Sequence, residues 1–206
     1  CCSEPVMYET VEKFKKHFSP FGLNPDVISN CYAMAENTFA MTVSSKGELK
    51  YLLIDYDLMK TENRIQFLEN GYKISSAGKP ISNTQIKILS IDKIKLPENE
   101  IGEIFIKSDC MLDEYHNNKK ATEESFFEGW FNTGDLGFIH GGELYITGRK
   151  KELIILGGEN IYPQDIEQII NNSEYFIPGR NVVFGITDKG RGTEKIIALA
   201  EVSIDE

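Results

Sequence analysis

Four short stretches of this chain carry side chains suited to chemistry. In Thr133-Gly134-Asp135 a carboxylate directly follows a glycine. On a tight turn such a carboxylate can accept two hydrogen bonds from the vicinal hydroxyls of a ribose. The same residues also suit a turn aspartate bonded to its own backbone. Arg149 follows fourteen residues later. Its rigid guanidinium fork suits phosphate or ribose oxygens, although with Lys150 and Lys151 it also fits a solvated basic triplet. Gly157-Gly158 ahead of Glu159-Asn160 suits a loop whose bare backbone approaches a ligand, or a turn that simply ends a strand. It is not a phosphate-cradling P-loop, because the Gly-x4-Gly-Lys-Ser/Thr pattern is absent. In Tyr32-Ala33-Met34-Ala35-Glu36 the ring can stack on a nucleobase, and the carboxylate offers oxygen to Mg2+. A core tyrosine and a helix-start glutamate are the alternative.

These residues need elements to position them. Met7, Val11, Phe14 and Phe18 recur at helical spacing, with Lys13, Lys15 and Lys16 on the wet side, and Pro20 and Gly22 close the helix. Val27–Cys31 is a short apolar run into a turn, and Phe39–Val43 reads as a strand. The middle is β-rich, with strands predicted at Tyr51–Ile54, Thr84–Leu89 and Ile101–Ile106. A short helix is predicted over Lys119–Phe127, capped by Thr122, with Glu123 and Glu124 in its first turn. Gly141-Gly142 joins Leu136–Ile139 to Glu143–Ile146 as a hairpin. A strand at Glu152–Leu156 precedes a helix that starts at Pro163 and carries Ile166, Ile169 and Ile170 as its apolar face. Val182–Ile186 and Lys195–Val202 are further strands. Charge interrupts two strands at Gly148–Glu152, where a domain boundary is placed.

Composition removes several functions. The 206 residues are 41% hydrophobic and 11% aromatic, ordinary for a globular protein, with a formal net charge of -10. No basic stripe favours a nucleic-acid backbone, and no apolar run is long enough to span a bilayer. Cys1, Cys2, Cys31 and Cys110 form no CxxC pair, and His17, His116 and His140 are scattered. A structural metal site is therefore not expected, and the thiols are read as free in a reducing cytoplasm.

The order and spacing of the four stretches resemble the adenylate-forming superfamily of acyl- and aryl-CoA synthetases, firefly luciferases and peptide-synthetase adenylation domains. The specific run is Gly129-Trp130-Phe131-Asn132-Thr133-Gly134-Asp135-Leu136-Gly137, then Gly142 through Glu152, then Gly157-Gly158-Glu159-Asn160-Ile161-Tyr162-Pro163 to Ile166-Glu167. Weaker matches are Ser3-Glu4-Pro5, Tyr32–Glu36, Gly78-Lys79-Pro80 and Ile101-Gly102-Glu103-Ile104. Tyr162-Pro163-Gln164-Asp165-Ile166-Glu167, Ser3-Glu4-Pro5 and Ala35-Glu36 look most like fatty acyl-AMP ligases. Two residues depart from the family's usual pattern: Ala33 stands where glycine is usual, and Ala35 where threonine is frequent.

The resemblance implies an α+β chain: the end of a large α/β layered domain over 1–70, a β-rich, barrel-like subdomain over 71–149, and a hinge with the start of a small α+β domain over 150–206. It implies that Tyr32 stacks on adenine, that Ser3 and Glu4 line that pocket, and that Glu36 holds Mg2+. Asp135 and Arg149 would bind the ribose, Lys151 would be the hinge, and Gly157 and Gly158 the loop that hinge rotation moves. It also implies ATP, a fatty acid or similar carboxylic acid, and a phosphopantetheine thiol on an acyl carrier protein, or the thiol of CoA, as acyl acceptor. No Met opens the chain, and both ends read as cut. The family's Ser/Thr/Gly-rich phosphate loop is expected upstream and its catalytic lysine downstream, so the chain alone is expected to be inactive. A non-catalytic module that docks a carrier protein is the alternative from another class.

Overall fold

The computed structural model describes residues 1–2, 6–47, 49–157, 159–188 and 193–202. Ser3, Glu4 and Gly158 lie outside the described residues. The architecture is mixed α+β, as expected. Its helices are α1 (Tyr8–Phe18), α2 (Tyr56–Glu62), α3 (Lys119–Ser125) and α4 (Pro163–Asn171). Its strands are β1 (Cys31–Ala33), β2 (Ala40–Val43), β3 (Tyr51–Ile54), β4 (Tyr72–Pro80), β5 (Thr84–Leu89), β6 (Gly102–Ser108), β7 (Phe126–Phe127), β8 (Trp130–His140), β9 (Glu143–Arg149), β10 (Ile154–Leu156), β11 (Glu159–Ile161), β12 (Phe176–Asp188) and β13 (Thr193–Val202). The chain divides into two units, Cys1–Met59 with Asn63–Thr147, and Lys60–Glu62 with Gly148–Glu206.

The first unit is a sheet in the order β1-β2-β4-β9-β8-β6-β5, with β3 paired to β4 and β7 to β8. Among the described residues the end strands β1 and β5 do not pair, so the barrel-like expectation becomes an open sheet rather than a closed barrel. One strand in from the β5 edge, β6 is buried on both faces from Gly102 to Ile106, so Ile104, Phe105 and Ile106 run together without alternation, and Glu103 is the one charged side chain buried beside them. The core joins Tyr32, Met41, Ala77, Ile88, Ile104, Ile106, Phe131 and Leu144. The Met, Ile, Phe and Leu side chains among them each contribute about 1.5–3 kcal/mol of transfer free energy when fully buried. Gly78 marks the tightest crossing, where β4 passes from β9 to β2. Its φ is +91°, and a Cβ there would lie 2.0 Å from the carbonyl carbon of Val43, so only glycine fits.

Local readings shift in three places. Helix α3 is capped by Asn118, whose Oδ1 accepts from the Ala121 amide at 3.2 Å. Thr122 instead sits inside the helix, donating to the Asn118 carbonyl at 3.1 Å. The helix also stops at Ser125, because Phe126 and Phe127 turn out as β7 against β8. Helix α2 was not anticipated; its signal is Asp55, an N-cap whose carboxylate accepts from the Leu58 amide at 3.0 Å. In α1 only Val11 is fully buried, and Phe14 and Phe18 meet in a tilted ring contact while staying exposed.

The second unit pairs β10 with β11 and β12 with β13. Strand β10 begins at Ile154 rather than Glu152, because Arg149–Leu153 is a turn closed by the Leu153 amide on the Arg149 carbonyl at 3.1 Å. Helix α4 packs beside β12, tied by the Glu167 carboxylate, which accepts from the Val183 amide at 2.8 Å. Ile166 and Ile170 are half-buried, but Ile169 is 70% exposed. At about 100° per residue, Pro163, Ile166, Glu167 and Ile170 centre on one side of the helix, and Ile169 falls at its edge.

Candidate functional site

The Thr-Gly-Asp segment is built by an irregularity in the sheet. Between β6 and β8 the register runs Glu103↔Leu136 and then Phe105↔Asn132. Two extra residues on β8 must therefore bulge out, and Gly134 takes the turn at φ +76°. Side chains fix the bulge. Asn132 Oδ1 accepts from the Gly134 amide at 3.0 Å. Thr133 Oγ1 accepts from the Asp135 amide at 3.1 Å and donates to the Ile104 carbonyl at 3.0 Å. Asn132 in turn donates to the buried Glu103 at 2.8 Å, and Glu103 accepts from Lys93 at 3.1 Å.

The bulge brings the Asp135 carboxylate to Tyr32, whose hydroxyl donates to Asp135 Oδ2. The two are 103 residues apart in sequence, and each is 8% exposed. The Tyr32 amide is itself bound to Thr42 Oγ1 at 3.2 Å, and that hydroxyl donates to the Ala77 carbonyl at 2.5 Å. The phenol and the carboxylate are thus both held from behind by the sheet.

Glu36 lies four residues past Tyr32, half-buried, in a short 3-10 segment Ala35–Asn37. The following residue, Thr38, has φ +64° and ψ -49°. A β-branched side chain rarely adopts a positive φ. The turn is clamped by the Phe39 amide on the Asn37 carbonyl at 2.6 Å and by the Leu112 amide on the Glu36 carbonyl at 2.7 Å. Tyr115 donates its hydroxyl to Glu36 Oε1 at 2.9 Å. Burial first, and then this contact with a carboxylate, push the Tyr115 phenol above its ordinary pKa. Nothing in local sequence marked Tyr115 as a partner of Glu36, because the two meet only through the fold, 79 residues apart.

The remaining sequence-predicted residues belong to the second unit. Arg149 is exposed and lies 3.9 Å from Glu152. Lys151 is exposed in the turn that Arg149 and Leu153 close. Gly157, at φ +62°, follows the last residue of β10 in the β10–β11 hairpin, and its amide binds Thr193 Oγ1 at 2.9 Å.

For Mg2+, the first unit offers Glu36. A hard cation of this size is usually held by one or two carboxylates plus substrate phosphates and water. A single half-buried carboxylate therefore fits that role, and among the described residues no group of three ligating side chains offers an all-protein cage.

A family model described as AMP-binding enzyme matches residues 1–116. The medium-chain-fatty-acid–[acyl-carrier-protein] ligase JamA of Moorena producens is 33% identical over 97% of this chain and 36% of its own length. The long-chain-fatty-acid–AMP ligase FadD32 of Mycolicibacterium smegmatis is 34% identical over 80% of this chain and 30% of its own. A structure from work on fatty acyl-adenylate ligases of E. coli and L. pneumophila superposes with a TM-score of 0.89 at 28% identity, over 100% of this chain and 37% of that one. The chain thus spans about a third of the length of these relatives.

Proposed function

The chain belongs to the family of AMP-binding enzymes and is similar to its fatty acyl-AMP ligases; from that premise we propose that the enzyme carrying it uses ATP to activate a fatty acid as acyl-AMP and passes the acyl group to the phosphopantetheine thiol of an acyl carrier protein. The fatty-acid carboxylate attacks the α-phosphorus of ATP and expels pyrophosphate. The thiol then attacks the acyl carbon, loses its proton and expels AMP. The protein's task in such a reaction is positioning and charge neutralisation. Segments 1–70, 71–149 and 150–206 would supply the end of the large α/β domain, the β-rich subdomain, and the hinge with the start of the small domain.

One observation carries this assignment: the buried Asp135 carboxylate, raised on the β8 bulge and held by the Tyr32 hydroxyl. Asp135 accepts from the ribose hydroxyls, while the tethered Tyr32 ring lies against the adenine. Glu36 holds Mg2+, which when bound neutralises phosphate charge. Arg149 would bind the ribose, and Lys151 would be the hinge that moves the Gly157 loop. The carrier-protein acceptor is favoured by the similarity to the carrier-protein ligase of Moorena producens.

The test is product analysis with the full-length enzyme, ATP, a medium-chain fatty acid and either a phosphopantetheinylated carrier protein or CoA. Acyl-carrier protein and AMP are expected, and Asp135→Ala should lower kcat/KM for ATP by about 10²–10³. Acyl-CoA as the main product would move the enzyme to the acyl-CoA synthetases. Failure to form acyl-AMP at all would leave carrier docking without chemistry.

A further inference from the structure

Glu36 is a flexible side chain asked to meet a cation at a fixed point, and the fold braces it from a loop far away in sequence. Between β6 and α3 the chain returns to the Glu36 turn. There the Leu112 amide binds the Glu36 carbonyl at 2.7 Å, and the Thr38 hydroxyl donates to the Cys110 carbonyl at 3.3 Å. Met111, Leu112 and Tyr115 pack against the sheet core, which keeps the loop in place. Tyr115 is anchored at both backbone ends. Its amide binds Thr122 Oγ1 at 2.9 Å, and its carbonyl accepts from the Asn118 amide at 3.0 Å. Asn118 is also the cap of α3, so the first turn of that helix fixes where the phenol points.

We propose that Tyr115 is a positioning residue for metal binding, its hydroxyl holding the Glu36 carboxylate in the orientation that receives a divalent cation. This rests on the reading of Glu36 as the cation ligand. Among the described residues no other side-chain donor reaches the Glu36 carboxylate. Anchoring through one oxygen leaves a carboxylate's second oxygen to face a hard cation. An unbraced glutamate loses rotamer freedom when it is ordered. Here the fold has already ordered it, so the cation does not have to. Partners that orient a metal ligand through a hydrogen bond typically matter by about 10–100-fold in metal affinity.

The experiment measures Mn2+ binding to the ATP complex of the full-length enzyme by the electron paramagnetic resonance signal of free Mn2+, with Mg2+ as competitor. Tyr115→Phe keeps the ring and removes only the hydroxyl, and its circular dichroism melt reports whether the fold is retained. It is expected to weaken Mn2+ binding about 10-fold. Glu36→Gln should weaken it at least as much, and Tyr115→Phe added to Glu36→Gln should weaken it no further. If Glu36→Gln weakens the metal and Tyr115→Phe does not, the positioning role is wrong while Glu36 remains the ligand. If the double variant is weaker than Glu36→Gln by the full Tyr115→Phe factor, Tyr115 acts by some other route and the proposal falls. If Glu36→Gln binds Mn2+ as the parent does, the ligand assignment itself fails and takes the proposal with it.

Discussion

Replacing Tyr32 by Phe isolates one interaction at the centre of the candidate site. The ring stays in the core, and only the hydroxyl that donates to Asp135 is lost. Both residues are 8% exposed, so water cannot readily take the hydroxyl's place. A hydrogen bond to a charged group contributes about 1.5–3 kcal/mol, and that is the expected loss of stability in the first unit. For a unit of this size it corresponds to a melting temperature lower by about 5–9 °C. The protein's single tryptophan, Trp130, opens the same strand β8 that carries Asp135. Its emission during urea titration therefore follows this unit. Asp135→Ala and the double variant complete a cycle, in which the coupling should be at least about 1 kcal/mol, within the range for residues in direct contact. A Tyr32→Phe protein within about 0.3 kcal/mol of the parent, or a coupling below about 0.5 kcal/mol, would mean that the Tyr32–Asp135 bond does not stabilise this unit. The carboxylate would then be solvated, and the phenol would not be what holds it.

Three further outcomes are expected. Asp165 is pushed up to about 6 from 3.8 by burial in the first turn of α4. Between those values the native state holds its proton and the unfolded state does not, so stability falls as pH rises through the window, by at most about 3 kcal/mol. The helix N-terminus opposes part of this by favouring the anion. Amide protection of 163–171 by hydrogen exchange should therefore be greater at pH 5 than at pH 7.5, and Asp165→Asn should flatten that dependence; no difference between the two pH values would count against it. Gly78→Ala should cost about 3–5 kcal/mol or prevent folding, since the new Cβ meets the Val43 backbone at 2.0 Å. Gly142→Ala, at φ +76° with nothing within 4 Å, should cost only about 1–2 kcal/mol; equal losses in urea titration would show that the crossing at Gly78 is not tight. Asn132→Ala removes the acceptor of the Gly134 amide and a partner of Glu103, a loss of about 1–2 kcal/mol. The Gly134 amide should then exchange about 10-fold faster, given that about 1.4 kcal/mol corresponds to one decade, and unchanged exchange would mean that the bulge does not depend on Asn132.

Much of this could be read before any coordinates. The strands at Tyr51–Ile54 and Thr84–Leu89 follow from β-branched runs between turn residues, and α1 and α4 from apolar spacing and from Pro163 at a first helical position. Gly141-Gly142 marked the β8–β9 connection, because two glycines supply the positive φ values that a tight loop needs. Helix α3 was misjudged at both ends. Asn118 competes with Thr122 as a cap, and Phe126-Phe127 is helical by position but is claimed by β8. The exposure of Ile169 could not be seen in its hydrophobicity, because it depends on which side of α4 meets β12.

Residue type and spacing already carry the chemistry available: a carboxylate after Gly134, a phenol at Tyr32, a second carboxylate at Glu36, and an order of motifs that points to one family. Those are properties of residue type and spacing, and they survive without a fold. Which of them meet is set by the fold. Tyr32 reaches Asp135 across 103 residues because β8 carries two extra residues against β6, and Tyr115 reaches Glu36 across 79 because the loop before α3 returns to the Glu36 turn. Strand register and loop return are set by packing across the whole sheet, and no local window of sequence contains them.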